Sequence, residues 1–122
     1  MMFNKDVGMI DYQQSAIKTI IDSLESMNPN IGIQIKFDND GFVLYYIVAD
    51  VIDYKGSPKY KQCFEQGYEI LDDTEKILKK KYKESVGETL KIKQESESES
   101  FEALSPALSR YYIRIFRKYI VS

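Results

Sequence analysis

The chain of 122 residues has no histidine and a single cysteine, Cys63. Serine and cysteine nucleophiles normally rely on histidine as their base, and zinc sites are built from histidine or several cysteines, so the sequence argues against both chemistries. A lone cysteine also rules out an internal disulfide. No apolar run approaches the roughly 18 residues that span a bilayer, and the opening MMFNKDVGMIDY has neither the basic start nor the apolar stretch of a signal peptide. No membrane partner is therefore expected, and the cytoplasm is the expected compartment. Phosphate loops, dinucleotide fingerprints and internal repeats are missing as well, so no cofactor is expected.

What is present suits a compact fold. Hydrophobic residues make up 43% and charged residues 30%, and the length fits one domain over residues 1–122. The net charge of −2 hides an asymmetry, because all 19 acidic groups lie at or before Glu102, whereas the end of the chain carries Arg110, Arg114, Arg117 and Lys118 with no acid. The C-terminus is thus a basic, aromatic segment on an acidic body.

Local patterns predict six elements. From Asp11 to Met27, Ile17, Ile20, Ile21, Leu24 and Met27 recur at spacings of three and four, one face of a helix that ends at Asn28-Pro29-Asn30. Ile31, Ile33, Ile35 and Phe37 alternate with polar residues as a half-buried strand. Asp38-Asn39-Asp40-Gly41, residues that tolerate positive φ, then predicts a tight hairpin turn. The return strand, Phe42 to Ile52, is apolar on both faces and is expected at the centre of a sheet. Ser57-Pro58 has the form of an N-cap and first helical position, and Tyr60, Phe64, Ile70, Leu71, Ile77, Leu78 and Tyr82 continue a helical stripe to about Lys83. Gly67 lies on that stripe, as a close-packing point or a break. Lys79, Lys80, Lys81 and Lys83 suit the negative end of the helix dipole.

From Glu88 the period becomes two, and Glu95 to Ser100 alternates glutamate and serine strictly. A flexible acidic linker has this composition, and so does a strand with every second side chain charged. The final RYYIRIFRKYIV favours a strand by composition. Its helical rival would gather Arg110, Arg114, Arg117 and Lys118 opposite Leu108, Tyr111, Ile115 and Tyr119. Pairing tips both segments toward strand. An antiparallel hairpin of 88–101 with 109–121 that sets Glu97 opposite Arg114 brings Glu95, Glu97 and Glu99 onto one face with Tyr112, Arg114, Phe116 and Lys118, and leaves Ser96 and Ser98 beside Ile113 and Ile115. The expected fold is α+β, an antiparallel sheet in the order helix-strand-strand-helix-strand-strand with helices mainly on one face.

Candidate chemistry is sparse. FDNDGF resembles part of a calcium loop, but the bidentate glutamate of an EF-hand would fall at Ala49, so a hairpin turn is the better reading. Asp53-Tyr54-Lys55 has the D-x-K form of metal-dependent nucleases. Its possible partner Asp40, however, lies at the other end of the strand, about 40 Å away at about 3.3 Å per residue. Asp72 and Asp73 point in different directions from a helix. Cys63 sits on the helical stripe as a small hydrophobe. The C-terminal arginines and tyrosines have the makings of a single-stranded nucleic-acid surface, which the neighbouring acidic strand would neutralise.

The opening helix DYQQSAIKTIIDSLESM, the strand YYIVADVIDYKG running into SPKYKQCFEQGYEILDDTEKIL, and the closing YYIRIF resemble in pattern and order the small tail-terminator and head–tail completion (neck) proteins of tailed bacteriophages. The first hairpin is shorter than in that family. The resemblance implies a non-enzymatic virion protein whose copies assemble as a ring beside neighbouring virion proteins, with DNA passing through a channel without specific binding. It implies that Glu95, Glu97 and Glu99, together with Arg114 and Lys118, face a partner or the lumen. Two other classes fit the same residues: a small monomeric binding protein, such as a viral anti-defence inhibitor acting through an acidic surface, and a nucleic-acid binder using Arg110, Arg114 and Arg117.

Overall fold

In a computed structural model, described here for residues 9–25, 32–52, 59–105 and 110–121, the chain forms two helices and one four-stranded antiparallel sheet. The elements are α1 (Asp11–Glu25), β1 (Gly32–Phe37), β2 (Gly41–Ile52), α2 (Lys59–Val86), β3 (Ile92–Ser105) and β4 (Arg110–Val121). The α+β order expected from the sequence is the order observed. The 92–105 segment is a strand and not a linker, and 110–121 is a strand and not a helix. The proposed Ser57-Pro58 helix start and the Asp53-Tyr54-Lys55 triplet lie outside the described residues.

The sheet order β1-β2-β4-β3 follows from where apolar residues fall. β2 and β4 carry apolar side chains on both faces and take the centre, whereas the hydrophilic β3 takes an edge. On one face Phe42, Leu44, Tyr46, Ile113, Ile115 and Tyr119 are buried beneath the helices, with Ile17 and Ile21 of α1 and Leu71, Leu78 and Tyr82 of α2. Each helix contributes a stripe at spacings of three and four to this single core.

Gly67 marks close packing and not a break, since α2 continues through it. A Cβ at this position would stand 2.6 Å from the Tyr46 ring and from Ile115 Cδ1, so only glycine lets the helix approach the sheet this closely. Burial there pushes the Tyr46 phenol up to about 12. The β1–β2 hairpin closes tightly at Asp38-Asn39-Asp40-Gly41, as the sequence predicts, with the Asp38 N–H donating to the Gly41 carbonyl at 3.0 Å. Asp38 Oδ1 accepts the backbone N–H groups of Asp40 at 3.3 Å and Gly41 at 3.0 Å, and Gly87 is the positive-φ glycine among the described residues. Gly41 is needed because a Cβ would come within 2.0 Å of the Tyr119 carbonyl oxygen on the neighbouring strand.

Candidate functional site

The pairing of β3 with β4 departs from expectation, and the departure determines which side chains each face of the sheet presents. Glu97 stands opposite Arg117, and Ser100 opposite Arg114. The register shifts between Gln94 and Ser96, so Glu95 is an extra residue in the strand. Ile92 and Gln94, opposite Val121 and Tyr119, lie on the helix side. Past the bulge the phase reverses. Glu97 and Glu99 share the helix side with Arg117 and Ile115, and Ser96, Ser98 and Ser100 turn to the other face opposite Lys118, Phe116 and Arg114. The expected Glu97–Arg114 pair therefore does not form, and Ser96 and Ser98 do not lie beside Ile113 and Ile115.

On the helix side the glutamates join a polar seam. Arg117, only 4% exposed, donates from Nε to Glu97 at 2.6 Å and from an Nη to Asp72 of α2 at 2.7 Å. Tyr119 donates its hydroxyl to Glu75 at 2.6 Å, and Tyr68 donates to Glu99. Tyr68, Asp72 and Glu75 are three and four residues apart, so they line one side of α2 and face β4 and the edge strand β3 together. Burial lowers the proton affinity of the Arg117 guanidinium, but hydrogen bonds with Tyr119, Glu97 and Asp72 more than offset it and hold its pKa above the ordinary value. The Tyr119 and Tyr68 phenols are both pushed up, first by burial and then by their carboxylate partners. This seam binds α2 to the edge strand and uses the carboxylates of Glu97 and Glu99 internally.

The opposite face, which we term the outer face, has no helix of the described residues over it. Its middle is a run of half-buried apolar side chains, Val43, Tyr45 and Ile47 on β2 and Tyr112, Phe116 and Ile120 on β4. Tyr45 and Phe116 are directly opposite and meet edge to face, with ring centroids 5.1 Å apart. The Arg114 guanidinium lies 5.1 Å from the Tyr112 ring centroid and 5.2 Å from that of Phe116, and bonds Glu102 at 2.9 Å. At one end Lys118 bonds Asp40 at 2.6 Å and also Asp38. Along the β3 margin run the small side chains Ser96, Ser98 and Ser100.

The five residues expected on one partner or lumen surface are thus divided. Glu97 and Glu99 are in the seam, Arg114 and Lys118 are on the outer face, and Glu95 is the bulge residue. Cys63, expected in the core, is half-buried. Asp72 belongs to the seam, a role that its sequence position on a helix surface did not signal. The described residues hold no group of three or more histidine, cysteine or carboxylate side chains placed to share a metal ion. No helix of the described residues is long and apolar enough to cross a membrane. An open groove of about 520 Å³ at the end of the fold is lined by Met9, Gln13, Lys83, Glu88, Leu90 and Lys91 among others, and the Glu88 carboxylate there is already taken by the Tyr12 hydroxyl at 2.9 Å.

The Lys118 pair carries a pH signature. Burial raises the Asp38 pKa, but bonds from Lys118 and from Asp40 outweigh it and hold the carboxyl below its ordinary range. A depressed carboxyl contributes stability that is present above its unfolded pKa and lost as pH falls through the folded one. Since Asp38 is 38% exposed, the contribution is expected to be no more than about 1 kcal/mol. Lys118→Met should therefore flatten the loss of urea resistance between about pH 5 and pH 3. An acid limb as steep as that of the parent would count against this pair.

Comparison of the chain with protein-family models, with curated proteins and with solved structures finds no match to any of them.

Proposed function

We propose that this protein is a non-enzymatic structural subunit that works by associating with copies of itself, in the manner of the phage tail-terminator and neck-completion subunits that its sequence resembles. The observation that carries the reading is the outer face, where six half-buried apolar side chains on the two central strands share one surface that no helix of the described residues covers. An antiparallel sheet can leave one face to solvent, but then that face is normally polar. Contiguous apolar surface rimmed by charge is instead the pattern of a protein–protein contact, with aromatic residues and arginine enriched at its middle. Here Lys36, Lys93, Lys118 and Glu102 form the rim. In the assembled state the subunits would form a ring beside neighbouring virion proteins, with DNA passing through it unread.

Native mass spectrometry of the purified chain is the direct test. A discrete oligomer, growing with concentration at the expense of monomer, is the expected result. A strict monomer at the highest attainable concentration, with no assembly on addition of virion proteins, would overturn the reading in favour of a monomeric binding protein.

A further inference from the structure

We infer that the partner on the outer face is a second copy of this chain, packed sheet to sheet about a two-fold axis. The inference rests on the self-assembly reading and makes it specific. Area is the first argument. Strands about 4.8 Å apart that rise about 3.3 Å per residue, with twelve-residue central strands, give a face of about 700 Å², close to the roughly 800 Å² per partner of a standard stable interface. The face needs no second patch to hold a dimer.

Shape is the second argument. β2 and β4 raise a ridge whose largest members are Tyr45, Phe116 and Tyr112, and the adjacent β3 margin is a trough of Ser96, Ser98 and Ser100. A two-fold axis lays the ridge of each copy in the trough of the other, and sheets stacked about 10 Å apart interdigitate in this way. The trough exists because the Glu95 bulge sends Glu97 and Glu99 to the opposite side. Without it two rows of carboxylates would meet across the axis.

Charge is the third argument, and it separates a second copy from a nucleic acid. The outer face carries Lys36, Lys93, Arg114 and Lys118, but Arg114 is held by Glu102 and Lys118 by Asp38 and Asp40. A nearly neutral face does not repel its own copy, whereas single-stranded nucleic acid calls for cations in excess over the phosphates that they meet. A two-fold contact also pairs its subunits, so any closed ring that uses it holds an even number of copies.

The test combines sedimentation equilibrium with hydroxyl-radical footprinting of the unmodified protein over a range of concentrations, and native mass spectrometry for copy number. Dimers or even-numbered oligomers are expected, with Tyr45, Tyr112 and Phe116 losing reactivity in step with association. The double variant Tyr45→Glu/Phe116→Glu should associate at least about a hundredfold more weakly, and Phe101→Glu, on the other side of the sheet, should associate as the parent does. Oligomers in which the three rings keep full reactivity, or odd-numbered rings, would overturn the two-fold contact and leave the self-assembly reading standing. A monomer at every concentration would overturn both. A fluorescent oligothymidine bound by the monomer, with the three rings protected, would overturn the second copy in favour of a single-stranded nucleic acid.

Discussion

Arg117→Ala is expected to lower the unfolding free energy by about 2–3 kcal/mol, whereas Arg114→Ala, three residues away, should cost less than about 1 kcal/mol. Both arginines lie on β4 and both bond a glutamate of β3, so the difference comes from burial and from the second carboxylate, Asp72, that Arg117 holds. Arg117 is 4% exposed and bridges α2 to the edge strand, and its removal leaves Glu97, itself 26% exposed, facing its own neighbours without a counter-charge. Breaking a buried pair costs roughly 3–5 kcal/mol, but Asp72 is 62% exposed and can take back its water, which lowers the figure. Arg114 is 30% exposed and its partner Glu102 57%, the regime of a surface pair. Against a typical total of about 5–15 kcal/mol, the Arg117 loss is large. Urea denaturation of the two variants decides it, and equal effects would mean that Arg117 is hydrated in solution.

These two arginines also show how far the sequence was readable. The phase of β4 was legible, because Ile113 and Ile115 fall in one alternate row and Tyr112, Arg114, Phe116 and Lys118 in the other, and the row with fewer cations goes inward. The helices were legible from apolar spacing and β2 from its two-sided hydrophobicity. The phase of β3 was not. Ile92 and Gln94 point inward as their alternation predicts, and carrying that alternation onward would bring Ser96 and Ser98 inward too. One bulge at Glu95 cancels this, and nothing in the ESESES run marks one glutamate as the extra residue. The reason for the bulge lies elsewhere, in an inward Arg117 that needs carboxylates and in Tyr68, Asp72 and Glu75 on the facing helix. An arginine in the inward row of β4 was the available signal, because a buried guanidinium requires a partner on the neighbouring strand. The consequence for the outer face followed from that register and was illegible for the same reason. Acid expected beside the aromatic residues is on the other side of the sheet.

Deleting Glu95 is expected to change the unfolding free energy by less than about 1 kcal/mol, and that tolerance tests the bulge itself. Gln94 stands opposite Tyr119 and Ser96 opposite Lys118, neighbours on β4, so the strand without its extra residue runs in one unbroken alternation. Ile92 and Gln94 stay on the helix side, Ser96 stays on the outer face, and Glu97 and Glu99 still reach Arg117 and Tyr68. The deletion and Arg117→Ala should therefore add in a double-mutant cycle, since the seam that Arg117 holds is intact in the shortened chain. A deletion that costs as much as Arg117→Ala, and after which Arg117→Ala costs little more, would show that the glutamates have left the seam and that Glu95 is not the extra residue of β3.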